Sequence, residues 1–187
     1  MTAADGIPRL ATSQLDPGLQ EILKPTIERL GYLGEFFSVA GHVPGGVQAF
    51  MQYTGAVKAP LSDRQNEVLA LSVCTALGGD YERIQHERLS HRLGFGEAWI
   101  AAAEGRAGSE PSALAADERA LRELALAMVA RHGEQCGTEI RAVVAAIGHA
   151  KAVAALLQIT RFVAIAMMCN ALVLQLPVKS IFGEAPR

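Results

Sequence analysis

Apolar residues recur along most of the chain at the three- and four-residue spacing that places them on one side of an α-helix. The spacing is clearest in residues 115–132, AADERALRELALAMVARH, and it returns in residues 138–147, TEIRAVVAAI. No segment shows the strict apolar–polar alternation of a half-buried strand. The pattern therefore predicts an all-α fold, a compact bundle of about eight helices with no sheet.

Local capping signals mark where several helices begin and end. Asp16 followed by Pro17 is a typical helix start, and Gly31 follows as the stop. Ser62 and Gln65 have the three-residue spacing of a capping box, in which each side chain bonds the backbone N–H of the other residue. We therefore predict one helix between Pro17 and Gly31 and another that begins directly after Ser62.

The most hydrophobic segment, residues 152–176, contains polar residues that would be costly in lipid. We interpret it as a long buried or interface helix rather than a membrane span, with Pro177 as its stop. One of its polar residues, Asn170, is expected to make a structural hydrogen bond, because a polar group in a buried helix needs a partner. The polar residues of the segment are Gln158, Arg161, Asn170 and Gln175.

Composition places the chain among globular helical proteins, with residues 1–187 forming a single domain. Half of the 187 residues are apolar, 19% are charged, and the formal net charge is −2, with acidic and basic residues interspersed. The absence of a basic stripe argues against nucleic acid as a partner. Three cysteines, Cys74, Cys136 and Cys169, form no CxxC, and the first residues lack the apolar region of a signal peptide. We therefore expect a cytoplasmic protein with reduced thiols and no membrane partner.

Residues 80–93 form the second helix of an expected antiparallel pair, which Gly78 and Gly79 join to a buried helix over residues 63–77. On a helical wheel, Glu82 and His86 lie one turn apart on the inward side of this second helix. The apolar residues of that side are Tyr81, Ile84, Leu89 and Leu93. The arc predicted to face solvent carries Arg83, Glu87, Ser90 and His91.

Glu67 interrupts the otherwise apolar surroundings of the first helix of the pair, on the stripe of Leu71 and Cys74. A buried carboxylate must be paired or protonated, because an isolated buried charge is very costly. If the two helices pack in this register, Glu67 meets Glu82 and His86 in an apolar pocket. A carboxylate and an imidazole placed there can exchange protons with a bound carbon acid.

Simpler interpretations stay open on the pattern alone. Glu67 lies five residues after the Ser62 cap and can favour the helix dipole. Glu82 and His86 can be a modest pair four residues apart, worth about 0.3 kcal/mol. The three side chains could also ligate a metal, but a helical ExxxH without a second histidine lacks the spacing of a known metal motif, so we predict no metal.

Residues 61–95, LSDRQNEVLALSVCTALGGDYERIQHERLSHRLGF, resemble the core of the carboxymuconolactone decarboxylase and alkyl hydroperoxidase D (AhpD)-like superfamily. The shared pattern is a capped helix with an early glutamate, a turn, an aromatic-bearing helix with a histidine, and a glycine. The resemblance extends over most of the chain, with residues 1–60 as N-terminal helices and residues 61–105 as the core that bears the motif. It implies an AhpD-like fold that assembles into a homo-oligomer, a trimer or a hexamer.

The resemblance also bears on the chemistry. Peroxidases of the superfamily carry a CxxC pair followed four residues later by the histidine; here Gly79 and Glu82 occupy the cysteine positions, and His86 matches the histidine. Without a second thiol no dithiol–disulfide cycle can run, so peroxidase activity is disfavoured. The decarboxylase branch uses neither cysteines nor cofactors. This branch implies cofactor-free acid/base chemistry, a decarboxylation or isomerisation of a small lactone or carbonyl acid.

Under that hypothesis the site residues have separate roles. His86 would donate a proton or stabilise the anion, Glu67 would orient His86, and Glu82 would bind substrate or act as a second acid/base. Tyr81 and Cys74 would contribute to the substrate-binding walls. Two alternatives stay open: an alkyl hydroperoxidase-like oxidoreductase that uses Cys74 as a lone thiol, and a non-catalytic oligomeric protein that binds a small ligand. The sequence favours an enzyme of the carboxy-lyase type without naming its substrate.

Overall fold

A computed structural model of the chain describes residues 5–183, and within that range it contains nine α-helices, two short 3-10 helices and no strand. The prediction of an all-α fold is confirmed. Residues 1–4 and 184–187 of the predicted 1–187 domain lie outside the described range. The α-helices are α1 (Pro17–Leu30), α2 (Glu35–Ala40), α3 (Pro44–Lys58), α4 (Asp63–Ala76), α5 (Asp80–Arg92), α6 (Glu97–Glu104), α7 (Ala116–Ala130), α8 (Gly137–Ile147) and α9 (His149–Ala171).

The helices α1 and α4 begin where the capping signals predict. The Asp16 carboxylate accepts two backbone N–H bonds from the first turn of α1, at 2.9 and 3.3 Å. Gly31 ends the same helix with a left-handed φ of 81°, which favours glycine. At α4 the Ser62 hydroxyl accepts the N–H of Gln65 at 3.1 Å, and the Gln65 side chain accepts the N–H of Ser62 at 3.0 Å. The predicted capping box is therefore present.

The end of α9 differs from the prediction that placed it at Pro177. The helix ends at Ala171, and Val173 adopts a left-handed φ of 49° just after it. The N–H of Leu174 bonds the carbonyl of Cys169 at 3.0 Å, which closes the helix end. Leu174 then packs in an apolar cluster, so hydrophobic residues beyond the helix are buried without being helical. An apolar run in the sequence does not by itself distinguish buried helical residues from buried residues that follow the helix.

At the centre of the fold lies α4. All ten residues from Gln65 to Cys74 are buried, and α4 packs against α5, α6, α7 and α9. This position explains its apolar character in nearly every direction, because a helix surrounded by others has no solvent face. Two polar residues of its first half, Asn66 and Glu67, are buried with the rest and therefore need partners inside the protein.

The second central helix is α9. Its polar residues Gln158 and Arg161 are 1% and 9% exposed, and Phe162 is buried beside them. By length and composition α9 is the one helix among residues 5–183 that could cross a membrane, but 56% of its most apolar stretch is buried inside the fold. The prediction of a core helix is confirmed. Its outer face exposes three large apolar side chains, Val153, Leu157 and Met167.

Candidate active site

The turn between α4 and α5 folds these two helices against each other. Gly78 adopts a left-handed φ of 63°, and the N–H of Gly79 bonds the carbonyl of Cys74 at 2.7 Å. A β-carbon on Gly79 would lie 3.4 Å from that carbonyl oxygen and 3.4 Å from the side chain of Ala166, so a larger residue would crowd α9. The tight turn brings the middle of α5 alongside the first half of α4.

The same turn is tied to α9. The side-chain amide of Asn170 donates to the carbonyl of Leu77 at 2.9 Å, which is the structural hydrogen bond predicted for this residue. Asn170 itself is exposed rather than buried. The bond fixes the end of α9 to the α4–α5 turn and so helps to place the α9 side chains that reach the cavity described below.

Across this helix pair, His86 of α5 is flanked by two carboxylates. Its Nδ1 lies 2.7 Å from Oε2 of Glu67, within hydrogen-bonding distance, and its Nε2 lies 3.7 Å from Oε2 of Glu82. The three side chains are 17%, 3% and 12% exposed in the order His86, Glu67, Glu82. The structure therefore brings together the three predicted site residues, and their catalytic role stays a prediction.

The charge state of His86 follows from these neighbours. Burial lowers the pKa of the imidazole, but the charge of Glu67 and its hydrogen bond, with a further contribution from Glu82, outweigh that effect and raise the pKa to about 9. At neutral pH the ring therefore carries both protons. Because Glu67 accepts the Nδ1 proton, the Nε2 proton is the one directed toward Glu82.

The arrangement differs from that of a metal site. The two ring nitrogens of an imidazole point in different directions, so Glu67 and Glu82 approach opposite edges of His86 and do not converge with it on one point. Among residues 5–183, no group of three or more His, Cys, Asp or Glu side chains is placed to hold a metal ion.

These side chains border a cavity of about 230 Å³ between α1, α2, α3, α4, α5 and α9. Its aromatic wall is formed by Phe36, Phe37, Phe50 and Phe162. Its polar side carries Glu67, Glu82, His86, Gln158 and Arg161. A lining of aromatic side chains with a few polar groups among them is typical of a small-molecule site. The ring of Phe162 meets His86 edge-on, with 5.1 Å between ring centroids, and limits how the imidazole can turn.

Tyr81 lies in the wall of this cavity, as the sequence predicts. Its phenol oxygen accepts the N–H of Phe36 at 3.1 Å, which joins α5 to the start of α2. Burial raises the pKa of Tyr81, so the phenol is neutral at physiological pH. Contact of Tyr81 with a substrate stays a prediction.

Arg161 is a polar cavity residue that the sequence pattern does not single out as a site residue. Its Nε donates to Oε1 of Gln158 at 2.8 Å, and the amide of Gln158 donates to Oδ1 of Asn66 at 2.7 Å. The Asn66 amide in turn donates to backbone carbonyls at the start of α4, that of Ser62 at 3.0 Å among them. This chain of hydrogen bonds, the Asn66–Gln158–Arg161 relay, holds the guanidinium over the ring of Phe162, 4.0 Å from its centroid.

A signal for Arg161 was present in the sequence. Gln158 and Arg161 are three residues apart, and therefore on one face of a helix that is otherwise apolar. Their polarity argues against a membrane span, and their shared face also indicates a common polar contact inside the fold. A buried arginine also needs an anionic or hydrogen-bonding partner, and that requirement marks it as a functional candidate.

Comparison with known proteins identifies the fold. No family model matches the sequence, and no curated protein matches it. A peroxidase-related protein from Ralstonia eutropha JMP134 with an alkylhydroperoxidase AhpD core superposes with a TM-score of 0.74 at 15% identity, covering 88% of this chain and 90% of its own. The chain has the AhpD-like fold.

A second protein of known structure has the same fold. The apo debrominase Bmp8 gives a TM-score of 0.78 at 16% identity, with 92% of both chains covered. A cysteine-to-alanine variant of Bmp8 in complex with 2,3,4-tribromopyrrole gives 0.77 at 17% identity, with 90% of both chains covered. The predicted resemblance is confirmed for the fold, and identities this low leave the activity open.

Within this AhpD-like fold, Cys74 does not reach the cavity. The residue is fully buried and is absent from the cavity walls, so its predicted place among substrate-binding residues is corrected. Cys74 lies two helical turns beyond Glu67 on the same stripe of α4, about 10 Å further along the helix axis. Burial, above all, raises the pKa of its thiol well above the ordinary value. Cys169 is also buried, and burial raises its pKa as well.

The predicted solvent exposure of the opposite side of α5 is wrong. Arg83, Glu87 and Ser90, predicted to face solvent, are 7%, 0% and 0% exposed, whereas Leu93, predicted to be inward, is 41% exposed. Of that arc only His91 is exposed as predicted. A helical wheel gives the direction of a side chain but does not show which part of the chain covers it.

Charges on this covered side of α5 are paired. Arg83 forms ion pairs with Glu87 and with Asp80, the second at 2.8 Å. The hydroxyl of Ser180 donates to Glu87 at 2.6 Å. Burial and the neighbouring Glu87 raise the pKa of Glu104 on α6, which is the third carboxylate near Arg83. The C-terminal segment and α6 therefore cover a cluster in which Arg83 and Arg106 pair with the buried carboxylates.

Proposed function

We propose that this AhpD-like chain is an acid/base enzyme that acts on a small lactone or carbonyl acid by decarboxylation or isomerisation, using its own side chains rather than a cofactor. The observation that carries the proposal is the position of His86 beside an apolar-walled cavity, with Glu67 on Nδ1 and Glu82 on the side of Nε2. A hydrogen-bonded carboxylate that fixes an imidazole facing a pocket is a recurrent arrangement for proton transfer.

The charge state of His86 selects its role. With a pKa of about 9 the ring is an acid at neutral pH and supplies a proton or a positive field, rather than removing a proton. Glu67 keeps the charged ring in one orientation. Glu82, at 3.7 Å from Nε2, is the side chain in position to accept a proton from substrate.

A decarboxylation at this site would proceed in two steps. The bond between the carboxylate and the adjacent carbon breaks, CO₂ leaves, and the electron pair remains as an enolate conjugated with the substrate carbonyl. The Nε2–H of His86 stabilises the negative oxygen and then protonates the carbon, and a solvent proton restores the imidazolium. An isomerisation would use Glu82 to remove a proton and His86 to return one at another carbon.

The proteins of the same fold support an enzyme. One is named as peroxidase-related and the other as a debrominase that was crystallised with a small ring compound. The thiol-peroxidase alternative receives less support from the structure, since burial of Cys74 and Cys169 hinders both access and thiolate formation. A non-catalytic binding protein would use the same cavity without turnover, and the experiment below separates the two.

We further propose self-association, as a trimer or a hexamer, in the cytoplasm. The exposed apolar side chains Val153, Leu157 and Met167 on α9 are the surface that such contacts would cover. Light scattering coupled to size-exclusion chromatography measures the assembly directly, and a monomer at all concentrations would contradict it.

The functional test is CO₂ release, or a change in ultraviolet absorbance, from a panel of small β-keto acids and unsaturated lactones. His86→Gln should lower the rate on any accepted compound by about a hundredfold or more, the usual contribution of a general acid. His91→Gln, on the exposed side of the same helix, is the matched control and should keep the native rate. Turnover by His86→Gln at the native rate would contradict the proposal.

A further inference from the structure

We infer that the cavity has a dedicated anion-binding group, Arg161, which holds the carboxylate of a small organic anion while the rest of that molecule lies against the phenylalanine wall. The inference deepens the proposed function, because it concerns the substrate of the same cavity and adds a residue that would contact it. It rests on the burial of Arg161, on the absence of a direct ion pair to it among residues 5–183, and on the hydrogen bond that holds its guanidinium. The charges of Glu82 and Glu67 favour the charged guanidinium from a distance, without a direct contact.

Arg161 is a buried cation without a carboxylate partner. It is 9% exposed, and among residues 5–183 it makes no ion pair, although Glu67 and Glu82 border the same cavity. Burial disfavours its charged form and lowers the pKa of the guanidinium, yet arginine remains charged in proteins. A buried charge of this kind is stabilised when an anion enters the cavity.

The relay orients the guanidinium for binding. Within the described part of the chain, its hydrogen bonds use Nε alone, which donates to Gln158 at 2.8 Å. The two Nη groups are therefore left as donors on a residue that lines the cavity. A planar pair of N–H groups matches the two oxygens of a carboxylate. The amide of Gln158 is in turn held by Asn66 at 2.7 Å. The guanidinium, whose two Nη groups form a planar fork of N–H donors, is therefore positioned before a ligand arrives.

The surroundings of the fork indicate what accompanies the carboxylate. The guanidinium carbon lies 4.0 Å from the centroid of Phe162 and 5.9 Å from that of Phe50, so the anionic group is bordered by aromatic rings. His86, which is protonated at neutral pH, also lines the cavity, but a carboxylate already lies near each of its ring nitrogens. Of the two other cationic residues in the lining, Arg29 is exposed and Lys58 lies 3.5 Å from Asp63. The side chain of Lys58 is 44% exposed, whereas Arg161 is 9% exposed.

The inference is tested with benzoate and with its neutral counterpart benzamide, titrated calorimetrically into the full chain at neutral pH. The native protein should bind benzoate more tightly than benzamide. Arg161→Gln should weaken benzoate binding about ten- to a hundredfold, the usual effect of losing charge-assisted hydrogen bonds, and leave benzamide binding unchanged. Arg161→Lys should recover part of the loss, and Arg141→Gln, an exposed charge change on α8, should behave as native.

A measurement on the native chain tests the same contact without relying on the correct folding of a variant. Selective ¹⁵N labelling of arginine should show the Arg161 side-chain resonance shift on addition of benzoate and remain in place with benzamide. Benzoate that fails to bind the native protein, or that binds Arg161→Gln as tightly as native, overturns the inference. An Arg161 resonance that does not respond to bound benzoate overturns it as well.

These outcomes separate the inference from the proposed function, because benzoate binding is measured without turnover. Loss of benzoate affinity in Arg161→Gln supports the anion site even if no compound is decarboxylated. Conversely, turnover that depends on His86 but tolerates Arg161→Gln with unchanged KM supports the acid/base proposal and overturns the anion site.

Discussion

Both sides of α5 bury charged residues, but the two sides balance their charges differently. On the covered side Arg83 is paired with carboxylates and Glu87 also accepts a hydrogen bond from Ser180. On the cavity side, His86 has a carboxylate near each ring nitrogen and also borders about 230 Å³ of open volume. The first arrangement satisfies its charges within the protein, and the second leaves room for a ligand.

The comparison shows that burial of charge does not by itself mark an active site. A closed ion-pair cluster holds segments together, and removal of one member leaves its partner buried and unpaired. A titratable group beside a cavity can instead exchange a proton with a bound molecule. Substitutions on the covered side should therefore lower the free energy of unfolding, whereas substitutions on the cavity side should lower the rate of turnover.

The largest effect on stability should come from the covered side. Arg83→Met would leave Asp80 and Glu87 without their shared cation and should lower the free energy of unfolding by about 3–5 kcal/mol. Arg92→Met, an exposed arginine of the same helix, should cost less than about 0.5 kcal/mol. Urea unfolding followed by circular dichroism measures both. Equal costs for the two variants would show that the covered cluster contributes nothing specific.

On the cavity side, the Glu67→Gln substitution should lower the rate of turnover and change its pH dependence. It removes a charge-assisted hydrogen bond to His86, worth about 1.5–3 kcal/mol, so turnover should fall roughly ten- to a hundredfold. Because the protonated ring is the active form, activity is lost as pH rises through the pKa of His86, and Glu67→Gln should move this alkaline limb to lower pH. Glu97→Gln, exposed on α6, is the control. A pH–rate profile with an unmoved alkaline limb would exclude the role of Glu67.

His86 should also make stability depend on pH. Its folded pKa of about 9 exceeds the unfolded value of about 6.5, so the stabilisation is complete below pH 6.5 and is lost as pH rises through about 9. The effect should be on the order of 2 kcal/mol. Glu104 on the covered side adds a dependence of the same sign, so the His86 contribution is the difference between native protein and His86→Gln. An identical pH dependence of the free energy of unfolding in native protein and His86→Gln would show that His86 makes no such contribution.

Among these substitutions, Cys74→Ala should have the smallest effect on turnover and stability. The thiol is buried away from the cavity, so turnover should stay within about twofold of native, while stability falls by about 1 kcal/mol. A peroxide-consumption assay tests the alternative at the same time. Loss of hydroperoxide consumption in this variant alone would restore the lone-thiol hypothesis.

Features that depend on neighbouring residues were predictable from the sequence. The Asp16 cap, the Ser62–Gln65 box and the Gly78–Gly79 turn rest on contacts between residues a few positions apart. The approach of Glu67 to His86 follows from one turn and two helical wheels, since 19 residues separate them. These interactions need no knowledge of how distant helices pack.

Features that depend on distant packing were missed or wrong. The relay that positions Arg161 joins Asn66 to Gln158 across 92 positions, and the cover over Glu87 comes from Ser180, 93 positions away. Neither the register of α9 against α4 nor the path of the C-terminal segment is encoded in a local pattern. For this reason the helical wheel wrongly places the buried side of α5 in solvent.

The proposed chemistry requires that the carboxylates around His86 hold it as a protonated acid. A ¹H–¹⁵N NMR titration of the imidazole resonances in the native protein measures this directly, because the ring nitrogen shifts report both the pKa and the protonated positions. We expect a pKa of about 9 for His86, with both nitrogens protonated at neutral pH. A pKa at or below the ordinary value of about 6.5 would contradict it.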